Sequence, residues 1–186
     1  MPLAADQKKA LREGRTIVFI DESGLSERPH RVRAWAPRGQ TPVLQYHFSW
    51  KVPSAAAGIT WWNFHFRLYR RTVRAAESVG FLGHLPRHPR GKPLVVWDGL
   101  PAHRGKVVKA FIAAQRGRLV IERLPAYAPE LNPVEYIWGY WKHHELPNFC
   151  PRDFGELSYQ ARRALRRMRR RPPLVRSFRP QAQMSL

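Results

Sequence analysis

Three carboxylates stand where a chain of this composition could do chemistry. Asp21 follows the apolar run Ile17-Val18-Phe19-Ile20, Asp98 follows Leu94-Val95-Val96-Trp97, and Glu135 lies just beyond Asn132-Pro133. Short, dense apolar runs of this kind read as buried strands. If the two strands are neighbours in one sheet, both aspartates leave it at the same edge, where α/β folds place their sites. Asn132 as N-cap and Pro133 at the first helical position put Glu135 in the first turn of a helix that can pack over that edge. Three acids drawn to one point repel one another. Hard oxygen ligands are what Mg²⁺ selects, so one or two such ions make the arrangement sensible. Two ions roughly 4 Å apart can activate an attacking oxygen and stabilise a leaving one in a phosphoryl displacement. Each acid also has a plainer reading. Asp21 with Glu22 can open a loop, Asp98-Gly99 can be a simple turn, and Glu135 sits where a capping-box glutamate belongs. Their joint placement favours a metal-dependent, nuclease-like site.

The elements that must position these acids follow from pattern and punctuation. A polar helix is expected over Ala4–Glu13, ended by Gly14, and then a strand over Arg15–Asp21. Three β-prone stretches come next, Arg31–Trp35, Val43–Ser49 and Gly58–Tyr69, with Asn63 as a turn inside the last. Arg71–Leu85 reads as a helix weakened by Gly80 and Gly83, Leu94–Trp97 as a strand, and Pro101–Gln115 as a helix. Arg118–Glu122 is a short strand, Leu124–Glu130 a proline-rich loop, and a helix runs from about Asn132 to about His144. Asp153–Arg171 reads as one basic helix with an apolar stripe from Phe154 to Met168, stopped by Pro172-Pro173, with a frayed end from Gln181 to Leu186. Mixed strands and helices in this order predict one α/β domain with a mixed sheet.

Composition narrows the partners. The 186 residues carry 33 Lys+Arg against 13 Asp+Glu, a formal net charge of +20, and 44% hydrophobic residues. That is enough apolar material for a core, and the charge imbalance makes nucleic acid the default partner. An anionic membrane surface is the rival, but no apolar run approaches the ~18 residues a span requires. No apolar leader segment stands between Met1 and Gly14. The single Cys150 excludes an internal disulfide framework and a cysteine-based zinc finger. The 26 Arg against 7 Lys suit phosphate binding, though GC-rich coding produces the same bias.

The motifs themselves resemble one family. Phe19-Ile20-Asp21-Glu22-Ser23-Gly24, the run Arg33–Pro42, Val96-Trp97-Asp98 with His103, and above all Pro129-Glu130-Leu131-Asn132-Pro133-Val134-Glu135 are similar to the catalytic domain of DDE-superfamily transposases. The likeness is to the bacterial insertion-sequence branch (insertion sequence six-thirty) related to mariner elements, and it runs from about Arg15 to Phe178. It implies a ribonuclease-H-like mixed five-stranded sheet flanked by helices, with a basic C-terminal helix. Residues 1–14 would be an N-terminal helix and linker, 15–150 the catalytic domain, and 151–186 the basic helix and tail. The acid triad falls on Asp21, Asp98 and Glu135, with 36 residues between the last two. The resemblance implies Mg²⁺ or Mn²⁺, two ions, and double-stranded DNA as partner (transposon inverted repeats and target). It further implies a homodimer, and a cytoplasmic, nucleoid-associated location with no membrane. Relatives carry a helix-turn-helix end-binding region before this domain, whereas 20 residues precede Asp21, so an upstream helix-turn-helix polypeptide is the expected partner. Gly99 departs from the family, which often has Asn there. The alternatives are an inactive DNA-binding remnant and a ribonuclease-H-like nuclease.

Other residues carry weaker expectations. Glu130 precedes the helix and is the lesser choice for the third acid. His103 is an auxiliary able to touch a phosphate or a metal-bound water, or an ordinary helix-cap histidine. His143 and His144 are adjacent and point apart, which argues against a zinc site. Trp61, Trp62, Trp138, Tyr140 and Trp141 can stack on bases, with core packing the plainer reading. Arg162, Arg163, Arg166, Arg167, Arg169, Arg170 and Arg171 are expected to hold DNA backbone, against the plainer reading of a solvated face.

Overall fold

The computed structural model of the chain describes residues 2–46, 53–85, 91–125 and 128–181. Five strands form one mixed sheet: β1 (Arg15–Gly24), β2 (Ser54–Ile59), β3 (Phe64–Tyr69), β4 (Lys92–Trp97) and β5 (Val120–Arg123). Their spatial order is β3-β2-β1-β4-β5. β1 runs parallel to β4 and antiparallel to β2, β2 pairs antiparallel with β3, and β4 pairs parallel with β5. The two strands expected from their apolar runs are therefore the central neighbours on which the site reading depended.

Side chains alternate across the pleat and fill two cores. Ile17, Phe19, Leu94 and Val96 face α4 (Pro133–Tyr140), α5 (Phe154–Arg169) and α6 (Pro172–Gln181), where they meet Ile137, Trp138, Leu165 and Val175. Val18, Ile20, Val95 and Trp97 face α2 (Ala75–Leu82) and α3 (Lys106–Ala114), against Leu82 and Val108. Burying each such aliphatic side chain contributes about 1.5–3 kcal/mol, so both faces hold the sheet. α1 (Pro2–Arg12) joins the first core through Ala10, and Gly14 ends its turn at φ +59°.

Several expected elements differ, each for a local reason. Arg31–Trp35 is not a strand: the backbone of Val32 is satisfied by the side chain of Asn148, whose Oδ1 accepts from Val32 N–H at 2.8 Å and whose Nδ2 donates to Val32 O at 2.9 Å. Trp35 is fully exposed. Residues 43–46 form no strand, and residues 47–49 of that stretch lie outside the described residues. Gly58–Tyr69 is a hairpin turning at Asn63, where Thr60 N–H donates to Asn63 O at 2.8 Å. Its first strand begins earlier, in the run Ser54-Ala55-Ala56-Ala57, which is wholly buried. The helix expected over Pro101–Gln115 breaks at Gly105 into a 3-10 turn, Pro101–Arg104, and α3. The late helix ends its α-helical part at Tyr140 and continues as a π-helical turn, Trp141–Glu145. Pro172-Pro173 does stop α5, but it also opens α6, because Pro suits a first helical turn. Val175 and Phe178 of α6 are buried in the shared core. Residues 182–186 of the expected frayed end lie outside the described residues. Among the described residues no helix is long and apolar enough to cross a membrane.

Candidate active site

The parallel register sets Phe19 opposite Val96. Two residues further, Asp21 and Asp98 reach the same edge on the same side of the pleat. Asp98 leaves the sheet because β4 ends at Trp97, whereas β1 continues along β2 to Gly24. Asp21 is thus buried, and Asp98 is part-exposed.

Glu135 is brought to this edge by Asn132, which is itself buried. Its Nδ2 donates to Ile20 O at 3.1 Å, one residue before Asp21, and its Oδ1 caps the helix by accepting from Val134 N–H at 3.1 Å. One side chain therefore both starts α4 and ties that start to β1. Asn132 N–H donates to Pro129 O at 2.9 Å, so the donor a capping-box glutamate would take is already used. The capping reading of Glu135 is not the arrangement adopted. Asn132→Ala should cost roughly 2–3 kcal/mol, combining a lost cap with a stranded buried carbonyl. Urea denaturation checks this, and a loss under about 0.5 kcal/mol would contradict the tether.

Farther along, Trp138 Nε1 of α4 donates to Asp21 Oδ2 at 2.8 Å, and Lys142 Nζ of the π-helical turn donates to Ser23 Oγ at 2.7 Å. Asn132, Glu135, Trp138 and Lys142 recur at spacings of three and four, so they share the helical face laid along β1. Asp21, Asp98, Asn132 and Glu135 line one cavity of about 450 Å³, together with Arg104 and Arg123.

The electrostatics are those of crowded acids. Burial, then the charges of Glu135 and Glu22, push the Asp21 carboxyl up to about 8 despite the Trp138 bond. Burial also raises Glu135, with Lys142 opposing and Asp98 adding. Lys142 is lowered by burial, partly offset by Glu135 and Asp21. Crowded oxygen donors, two of them holding their protons too tightly, fit a hard divalent cation, whose charge would reverse those shifts. Among the described residues, no group of three or more His, Cys, Asp or Glu stands as it is in an arrangement that could hold a metal ion. The acids border an open cavity instead.

His103 lies beside the acids. It stacks on Trp97 with ring centroids 3.7 Å apart, and its side chain is almost fully buried. Nδ1 bonds Asp98 Oδ1 and Nε2 lies 3.3 Å from Glu22 Oε2. Burial opposes a charge on the ring, but the two carboxylates outweigh it and raise His103 to about 9. The ring therefore braces Asp98 through Nδ1 while its other nitrogen faces Glu22.

The remaining expectations sort cleanly. Glu130 lies exposed in the 3-10 turn Pro129–Leu131 and does not border the cavity. His143 bonds Gly139 O and meets His30, while His144 packs on Tyr140, so the pair does point apart. Trp138 and Trp141 are core residues, whereas Trp62 is exposed. On α5 and its C-cap, Arg162, Arg163, Arg166, Arg167 and Arg170 line a groove of about 520 Å³ with Tyr159 and Arg171. Arg169 is not in it, because its guanidinium lies over the Phe66 ring at 5.5 Å. Arg167 and Arg171 lean on Glu145.

Sequence reasoning missed Glu22, Arg104 and Lys142. Glu22 was read only as opening a loop beside Asp21, and helical spacing from Glu135 could have found Lys142. Nothing in the sequence pointed to Arg104.

Residues 16–157 match the family model described as DDE superfamily endonuclease. No match was found among curated proteins. Among solved structures, the mariner Mos1 paired-end complex with Mg aligns over 97% of this chain and 57% of that one, at 18% identity and TM-score 0.68. A pre-cleavage Mos1 transpososome aligns over 100% and 61%, at 15% and 0.63. The catalytic domain of Mos1 mariner transposase aligns over 98% and 91%, at 13% and 0.55. The chain spans about three-fifths of the length of the chains in the complexes. At these identities the likeness is one of fold, and the fold is ribonuclease-H-like.

Proposed function

The chain belongs to the DDE superfamily endonucleases, and from that premise we propose that it is the catalytic part of a DNA transposase of the bacterial insertion-sequence branch. It would cleave phosphodiesters at transposon ends and join the freed ends to target DNA. The observation that carries this is the convergence of Asp21, Asp98 and Glu135, from two parallel strands and a helix, on one cavity.

Asp21, Asp98 and Glu135 would hold Mg²⁺ or Mn²⁺, two ions in all. When bound, such ions sharpen an attacking oxygen and stabilise a leaving one. The chain's own residues supply position. Trp138 fixes one oxygen of Asp21, His103 fixes one oxygen of Asp98, and Asn132 sets where α4 begins. Preset side chains avoid reorganisation during reaction, which is where such a scaffold gains rate. The Arg-lined groove of α5 would carry duplex DNA by its backbone. In this reading the protein works as a homodimer on the bacterial nucleoid, and a helix-turn-helix region beyond residues 1–186 supplies recognition of the ends.

Nicking of supercoiled plasmid tests the activity: it should require Mg²⁺ or Mn²⁺ and vanish in chelator. Competition gel shifts at two salt concentrations test the division of labour. The 186-residue chain alone should prefer inverted-repeat ends far less than the ~10³-fold or more of sequence-specific binders. Strong end preference by this chain alone would overturn the two-part reading.

A further inference from the structure

Resting on the cleavage reading above, we infer that Arg104 is the side chain that grips the phosphodiester in the catalytic cavity, and that position 99 is glycine to make room for it. Arg104 ends the turn Pro101–Arg104 and borders the cavity shared by the three acids. A Cβ on Gly99 would lie 2.5 Å from Arg104 Nη2, 3.4 Å from Cζ and 3.6 Å from Nε. The guanidinium therefore rests on the bare Cα of Gly99, in space that any side chain there would claim. Gly99 is not among the residues with positive φ, so what glycine offers Arg104 there is room and not a special backbone conformation.

The turn that carries Arg104 is pinned from beneath. His103 is buried against Trp97 and bonded to Asp98 and Glu22. Its backbone N–H donates to Leu100 O at 2.9 Å, and Leu100 N–H donates to Asp98 Oδ1 at 3.3 Å. The next residue, Arg104, inherits this anchor while its head remains at the cavity wall. Among the described residues it forms no ion pair, although three carboxylates border the same cavity. An arginine left unpaired beside acids keeps its charge and planar fork available for an anion, and the fork matches two phosphate oxygens. The cavity is walled by carboxylates that repel phosphate, so an unpaired, exposed cation at its rim gives the strand its point of attachment.

The test uses the full chain and the variants Arg104→Ala, Arg104→Lys, Gly99→Ala and the Gly99→Ala/Arg104→Ala double. In Mn²⁺-supported plasmid nicking, Arg104→Ala should lower kcat/KM by about 10²-fold, and Arg104→Lys should recover part of the loss. A Cβ at position 99 must push the free end of the Arg104 side chain aside, a cheap shift, so Gly99→Ala should lose less than Arg104→Ala, and the double variant should be no worse than Arg104→Ala, because Gly99 acts only through Arg104. Independently, the Nε–Hε resonance of wild-type Arg104, identified by its absence from Arg104→Lys, is followed with Ca²⁺ present. It should shift on titration with the dinucleotide dTpdT and stay still with the uncharged methylphosphonate analogue. Multiplying losses in the double variant, or a resonance unmoved by dTpdT, would overturn the inference while leaving cleavage intact. A wild-type chain that never nicks would instead overturn the cleavage reading, and the resonance alone would then decide for or against Arg104.

Discussion

Asp21→Asn, Asp98→Asn and Glu135→Gln should each lower strand cleavage by at least about 10³-fold, equivalent to about 4 kcal/mol of barrier, while the protein stays folded. The substitutions preserve shape, and Asn at position 21 can still accept from Trp138. Glu130→Gln should cut like the wild type, since Glu130 lies outside the cavity; a dead Glu130→Gln would move the third acid. Folding stability provides a second readout with a definite sign. Asp21 has its carboxyl near 8 in the fold against an ordinary 3.8. The folded state thus binds the proton more tightly, and stability is lost as pH rises from about 4 to about 8. In chelator at pH 8, Asp21→Asn should therefore melt above the wild type, and the gap should close towards pH 4. Equal melting temperatures at pH 8 would mean that the Asp21 charge carries no burial cost.

The second large effect concerns the DNA track. Arg163, Arg166 and Arg170 line the α5 groove, and none is drawn into the Glu145 pairs that engage Arg167 and Arg171. Replacing all three by Ala should weaken binding to every duplex alike, by at least about tenfold. It should also flatten the slope of log affinity against log salt by roughly 2.7, or about 0.9 for each phosphate no longer neutralised. Arg169→Ala should leave that slope nearly unchanged, because its guanidinium sits over Phe66. Helix α5 survives the triple change, being held by Leu157, Leu165 and Met168 in the core. An unaltered slope would place the DNA elsewhere on the surface.

What the sequence revealed followed from how local the determining forces were. β1 and β4 were readable because Ile17–Ile20 and Leu94–Trp97 are buried on both faces, and such strands need no partner to be recognised by composition. β2 was not, since alanines carry little strand preference and Ser54–Ile59 is a strand only because its neighbours bury it. The opposite error arose at Arg31–Trp35, where β-prone residues found no sheet edge and Asn148 took the backbone of Val32 instead. The convergence of Asp21, Asp98 and Glu135 on one cavity was legible from strand ends and a cap. Its supports were not, because the His103–Glu22 contact and the seat of Arg104 on Gly99 arise from packing between elements distant in the chain or from a single missing Cβ.

If Asp21, Asp98 and Glu135 jointly hold the divalent cation used for cleavage, each must contribute to its affinity. Calorimetric titration of Mn²⁺ into the wild-type chain and into Asp21→Asn, Asp98→Asn, Glu135→Gln and Glu130→Gln measures that contribution without any need for turnover. Binding should be measurable in the wild type and in Glu130→Gln, and weakened by at least about tenfold in each of the other three. Equal Mn²⁺ affinity in all five proteins would contradict a shared metal site on the triad.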